Sequence, residues 1–216
     1  MRPMMQIAFL FAMALPLSAA ALAQRNSSPS APSEAEQASL PHDQHSGITI
    51  SAEPITDASR AKHQFGKADP LPAGLLPVEV FVRNDTSEPV QIGLDTIQLD
   101  VHYQNGRMDG VDSLTPAQAA QAIAHPNGPS APRERRFPIG MGSIGDKKAD
   151  KLLDILRPLA LNSDIVPPMG TIHGYLFFDL QHDMSVVSQS SLYVPDAVVI
   201  PSKKPLIFFE VSFATP

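Results

Sequence analysis

The chain has 216 residues, with no Cys, no Trp, 22 Pro and a formal net charge of −6. The absence of Cys excludes a disulfide framework, a thiolate nucleophile and Cys-ligated zinc. Mild acidity argues against a nucleic-acid partner, because phosphate binding needs clustered Lys and Arg.

Residues 1–23 carry the three parts of a secretory signal. Arg2 supplies the n-region charge, and Ile7 to Leu15 is an uninterrupted apolar run. Ala21-Leu22-Ala23 fits the small-x-small rule, which places the new N-terminus at Gln24. The run is too short to cross a ~30 Å hydrocarbon layer, so cleavage is expected rather than anchoring. Cleavage removes Arg2 and no acid, taking the charge from −6 to −7. A periplasmic or secreted location follows as an expectation, with stability supplied by an apolar core rather than by disulfides.

Residues 24–46 are rich in Ser and Pro, and Leu40 is their only large aliphatic residue. Such a segment buries too little apolar area to offset chain entropy, so it reads as a disordered linker. The folded domain is expected over 47–216.

Period-two alternation marks the strands. Gly47 to Glu53 places Ile48, Ile50 and Ala52 on one face, and Pro54 ends it. Val78 to Arg83 places Val78, Val80 and Val82 together, before the turn chemistry of Asn84-Asp85-Thr86-Ser87. Val90 to Leu94 is a short strand. Thr96 to Gln104 points Ile97, Leu99, Val101 and Tyr103 inward.

The stretch 105–169 reads as a helical insert. Thr115-Pro116-Ala117-Gln118 has the form of a capping box with Pro at the first helical position. Asp146 is placed to cap a second helix over 147–157, with Leu152, Leu153 and Leu156 as its apolar stripe. Strands resume at Thr171 to Leu180, Ser191 to Val194 and Ala197 to Ile200. Leu206 to Phe213 follows, with Ile207, Phe209, Val211 and Phe213 on one side. About seven short strands with turn signals between them imply a mainly β, antiparallel two-sheet sandwich.

Phe65-Gly66-Lys67, Gly74-Leu75-Leu76-Pro77-Val78, Arg83-Asn84-Asp85, Gly174-Tyr175-Leu176-Phe177-Phe178-Asp179 and Ser191-Leu192-Tyr193-Val194 carry a family likeness. Together they resemble the opening and closing strands of uncharacterised secreted bacterial immunoglobulin-like domains. The resemblance covers most of 47–213. It implies an Ig-like β-sandwich, from which the helical insert is a departure, and it brings no catalytic or ligand residues with it.

Chemistry-bearing motifs are sparse. Gly140-Met141-Gly142-Ser143-Ile144-Gly145 matches G-x-G-x-x-G but follows Arg133-Glu134-Arg135-Arg136-Phe137-Pro138 instead of a central strand. It therefore reads as a loop leading to a helix cap, and no cofactor is expected. His42-Asp43-Gln44-His45 has two imidazoles at a spacing able to chelate a divalent ion. His182-Asp183-Met184 is similar to the His-Met ligand pairs of periplasmic copper chaperones, with Met108, Met141, Met169 and His173 elsewhere. The matching upstream pair is missing, since His102 is followed by Tyr103.

Asp95 and Asp100 flank a strand, while Asp109 and Asp112 read as turn acids without the ligand alternation of a calcium loop. Seven His and many Ser permit chance triads, and spacing alone pairs none of them. Arg133, Arg135, Arg136, Lys147, Lys148 and Lys151 make the insert locally basic, which suits solvent or an anionic partner. The leading expectation is an exported, non-catalytic binding or cell-envelope-associated module. Its protein partner would use sheet edges or the insert. A periplasmic copper-binding protein using His182 and Met184 is the alternative, and a secreted hydrolase stands third.

Overall fold

The computed structural model describes residues 39–103, 106–126 and 146–214. The signal segment, residues 24–38 of the linker, the glycine-rich run at 140–145 and the arginines at 133, 135 and 136 lie outside these residues.

The described residues are mainly β, in antiparallel sheets of eight and four strands. In chain order they form β1 (His42–His45), β2 (Ile48–Pro54), α1 (Ala58–Phe65), β3 (Leu75–Asn84), β4 (Val90–Ile92) and β5 (Gln98–His102). There follow β6 (Met108–Leu114), α2 (Pro116–Ala124), α3 (Lys147–Leu156), β7 (Ile165–Val166) and β8 (Gly170–Asp179). The chain ends with β9 (Ser190–Val194), β10 (Ala197–Val199), β11 (Lys204–Pro205) and β12 (Phe209–Ser212).

The large sheet runs β1-β2-β3-β8-β6-β5-β9-β12, and the small one β11-β10-β4-β7. The large sheet curls until its two edge strands meet, which makes it nearly a barrel. Side chains close the seam. Asp43 Oδ2 accepts from the Glu210 backbone N–H at 2.9 Å. The His45 ring stacks on Phe209 with centroids 3.9 Å apart, and its Nε2 lies 3.0 Å from the Ile207 carbonyl.

Two apolar cores flank the sheet. The inner one joins Ile48, Ile50, Val78, Val80, Leu99, Val101, Leu176, Phe178, Leu192 and Val211. Val90, Ile92, Val166 and Ala197 of the small sheet pack into the same core. The outer one lies under the helices, where Phe65, Leu75, Phe177, Ala119, Ala120, Leu152 and Leu156 meet. β3 is therefore buried on both faces, which explains its near-continuous apolar sequence.

Helix starts are set locally. The Thr115 hydroxyl accepts from the Gln118 N–H while the Gln118 side chain accepts from the Thr115 N–H, completing the capping box. Asp146 caps α3 by accepting from the Lys148 and Ala149 N–H groups. Asn84, fully buried, holds the β3–β4 turn: its Oδ1 accepts from Thr86, and its Nδ2 donates to the carbonyls of Glu88 and Pro167.

Five sequence expectations change. His42–His45 is a strand, so order reaches further toward the N-terminus than residue 47; its pairing with β2, not its own composition, makes it one. The insert does not begin at 105, because Met108–Leu114 is sheet strand β6, paired with β5 and β8. Tyr103 falls just past β5 and is exposed. Ile207 precedes β12 and is 69% exposed, while Phe209, Val211 and Phe213 are buried as expected. The described residues form twelve strands in place of the expected seven or so, largely through short ladders such as β7 and β11.

Candidate functional site

Three neighbouring strands and α1 build a polar cluster around the buried Glu79 on the outer face of the large sheet. Register places Glu53 of β2 opposite Glu79 of β3, and Glu79 opposite Tyr175 of β8. Two acids directly opposed on one face repel. Arg60 of α1 resolves this by reaching both. Its Nη1 and Nη2 donate to Glu53 at 2.6 and 2.8 Å, and Nη2 also donates to Glu79 Oε2 at 2.8 Å. Asp57 positions that arginine by capping α1 through the Arg60 N–H at 2.7 Å.

The second Glu79 oxygen takes two more bonds. His173 Nε2 and the Tyr175 hydroxyl each lie 2.9 Å from Oε1. The Phe81 ring stacks on the His173 imidazole at 4.3 Å, and Phe65 meets Tyr175 edge-on. The Glu79 side chain is only 8% exposed. Burial alone would raise its carboxyl pKa. Hydrogen bonds from His173 and Tyr175, with the charges of His173 and Arg60, outweigh this and hold it below the ordinary carboxylate range. Burial and the adjacent Glu79 charge push the Tyr175 phenol up. The Glu53 hydrogen bond holds the Arg60 guanidinium firmly charged, against the opposing effect of its partial burial.

Chemically, Glu79 orients an imidazole, as a triad acid orients its base. His173 remains partly open to solvent, with 30% of its side chain exposed. On its own face the ring contacts are Phe81 and Tyr175.

A second polar group, this one Ser–His–acid in composition, lies on the outer face of β5, β9 and β12. Ser191 Oγ donates to Glu210 Oε1 at 2.8 Å, and His102 Nε2 lies 3.4 Å from Ser191 Oγ and 3.9 Å from Glu210. A working triad puts serine and acid on opposite ring nitrogens. Here both face Nε2, so the hydroxyl proton goes to the carboxylate. Asp100, on the same face, has its carboxyl raised by burial and by Glu210, opposed by His102.

The sequence-selected residues are dispersed. His42 and His45 lie in β1, where an i, i+3 spacing sends side chains to opposite faces, so the two imidazoles do not converge. His182 is exposed at a turn that packs on Gly74, while Met184 packs against the inner core. His173 belongs to the Glu79 cluster and is not brought to His182. Asp109 and Asp112 lie within β6, not a turn, and Asp112 accepts from Gln98 at 2.8 Å. Lys148 caps the end of α2, donating to the Ala124 carbonyl at 2.7 Å. Among the described residues, no group of three or more His, Asp or Glu is arranged to hold a metal ion.

One surface feature escaped the sequence reading. Ile207 and Phe208 stand exposed side by side, 69% and 48% accessible, and the Phe208 ring lies 5.4 Å from that of Tyr193. The available signal was Pro205, two residues before Ile207, which has no N–H to give a ladder; the paired strand β12 begins only at Phe209.

No family model and no curated protein matches the chain. Among solved structures it is similar to a functionally unknown protein from Listeria monocytogenes EGD-e. That match has 12% identity and a TM-score of 0.33, covering 77% of this chain and 80% of that one. A Northeast Structural Genomics Consortium target is similar at 11% identity and a TM-score of 0.29, covering 79% and 88%. Likeness at these scores supports no inference about fold or function.

Proposed function

We propose that this chain is an exported, non-catalytic binding module associated with the cell envelope, docking through the exposed Ile207–Phe208 ridge beside Tyr193. The observation that carries the reading is that two large apolar side chains adjacent in the chain stand in water beside a third ring, Tyr193, whereas the other exposed large hydrophobics, Tyr103, Met108, Ile165 and Met169, are not adjacent in sequence. The polar clusters support it from the other side. Glu79 is committed to Arg60, His173 and Tyr175, and Ser191 gives its proton to Glu210. The first network joins three strands to a helix and the second joins three strands, which is the work of a scaffold. The finer fold assignment, an immunoglobulin-like sandwich of the secreted bacterial kind, belongs to the same proposal, with the small sheet as its second layer. Its support is the strand motifs together with Val90, Ile92, Val166 and Ala197 in the inner core.

The test is sedimentation of the exported protein with envelope fractions. Wild type is expected to sediment, and Ile207→Ser/Phe208→Ser to stay in the supernatant with an unchanged melting temperature. Equal sedimentation of both proteins counts against the ridge. N-terminal sequencing of exported protein is expected to begin at Gln24, and a retained Met1 counts against export by cleavage.

A further inference from the structure

The ridge continues a longer exposed segment with a distinctive composition. Residues 201–208 read Pro-Ser-Lys-Lys-Pro-Leu-Ile-Phe and include no acid. All but Leu206 are exposed, and Leu206 itself packs partly against the inner core. Lys203 sits at a positive φ of 53° at the turn, and Lys204 pairs with Val199 in the small sheet. Neither lysine makes an ion pair or side-chain hydrogen bond among the described residues, unlike Arg60 and Lys148. In a chain of net charge −6, these two lysines adjoin the apolar pair, with Glu210, opposite Tyr193 in the β9–β12 ladder, as the neighbouring acid.

Two kinds of surface accept exposed apolar side chains. Protein interfaces deplete Lys at their centres and favour Arg with aromatic anchors. Anionic bilayers favour what is present here. Lysines reach phosphate headgroups while their stems lie along apolar surface, aliphatic and Phe side chains enter the acyl boundary, and a Tyr sits at headgroup level. Resting on the envelope-associated reading above, we infer that residues 203–208 with Tyr193 dock on an anionic lipid bilayer, Lys203 and Lys204 binding headgroups and Ile207 and Phe208 inserting beneath them. Each lysine near such a surface contributes about fivefold in partition, so binding is reversible and falls with salt.

The chain's lack of Trp makes the test site-specific. Phe208→Trp in the full chain gives a single fluorophore at the proposed contact, and Ile207→Trp is the second placement should the first perturb folding. The probes are vesicles of equal parts phosphatidylglycerol and phosphatidylcholine, against pure phosphatidylcholine. On the anionic vesicles the emission is expected to shift to the blue and to be quenched by brominated acyl chains. Adding Lys203→Glu/Lys204→Glu is expected to lower partition about tenfold or more. An unshifted emission from vesicle-bound protein overturns the inference, because another segment then makes the contact. Equal partition on neutral vesicles, or indifference to the lysine reversals, overturns it too. A blue shift that grows with protein concentration without lipid assigns the ridge to a second copy of the chain. If envelope sedimentation depends on Ile207 and Phe208 while pure vesicles give no shift, the lipid inference falls and the wider reading stands.

Discussion

Glu79 and His173 lie 94 positions apart in the chain and meet at 2.9 Å across the β3–β8 ladder. The carboxylate is the hub of the outer-face cluster, and its depressed pKa makes that cluster sensitive to acid. A carboxyl whose folded pKa lies below its unfolded value, near 4.3, adds stability above that value and loses it as pH falls through the folded one. Wild type is therefore expected to lose stability through and below the ordinary carboxylate range. Glu79→Gln is expected to be less stable at neutral pH, by about 1.5 kcal/mol, because the hydrogen bonds from Arg60, His173 and Tyr175 lose their charged acceptor while Arg60 keeps Glu53. It is also expected to show a flatter acid limb. Denaturant melts from pH 3 to 7, on the order of the carboxylate range, measure both. An acid limb identical in the two proteins would remove Glu79 from this role.

Gly174 is held against the backbone of a crossing segment. A Cβ there would stand 2.5 Å from both Cα and N of Leu161. The approach is fixed because β8 bonds to that segment, with Leu161 N–H donating to the Tyr175 carbonyl and Tyr175 N–H to the Leu159 carbonyl, each at 3.0 Å. Gly174→Ala is expected to cost about 3 kcal/mol, the upper end of overpacking, since backbone and not a mobile side chain must yield. A melting temperature within error of wild type would contradict this packing.

The β1–β12 seam rests on two side chains. Asp43→Ala removes a charged acceptor from the Glu210 N–H and is expected to cost about 1.5 kcal/mol. His45→Ala loses the Phe209 stack and the Ile207 contact and is expected to cost about 1–2 kcal/mol. Both are expected to speed amide exchange in β12 selectively. Uniform acceleration across the sheet would show that the seam is not a separate closure.

Thr49 Oγ1 is buried without a hydrogen-bond partner. Thr49→Val keeps the shape and removes the orphaned hydroxyl, so stability is expected to rise by about 1 kcal/mol. A loss on chemical denaturation would mean that the hydroxyl is satisfied in solution.

Where one side chain repeats at period two, the strands were legible. Val78, Val80 and Val82, or Ile97, Leu99 and Val101, announce a buried face without knowledge of their neighbours. Thr115 and Asp146 were legible for a related reason, since a cap is satisfied within three residues. His42–His45 was not, because its strand character comes from β2 on one side and the β12 contacts on the other. The Glu79 cluster was invisible for the same reason. An acid in an otherwise apolar strand is a local signal of a buried partner, but Arg60, His173 and Tyr175 are supplied by the fold. Ile207 misled because the alternation runs one step N-terminal of Phe209, where β12 begins.

The proposed docking through residues 203–208, rather than through the Glu79 cluster, is tested most directly by amide hydrogen exchange of the purified protein, free and bound to anionic membranes. Slowing is expected to be confined to Leu206–Phe209 and the adjoining Tyr193 strand, with β3 and β8 unchanged. Unaltered exchange at Ile207 and Phe208, with slowing around Glu79, His173 and Tyr175, would contradict it.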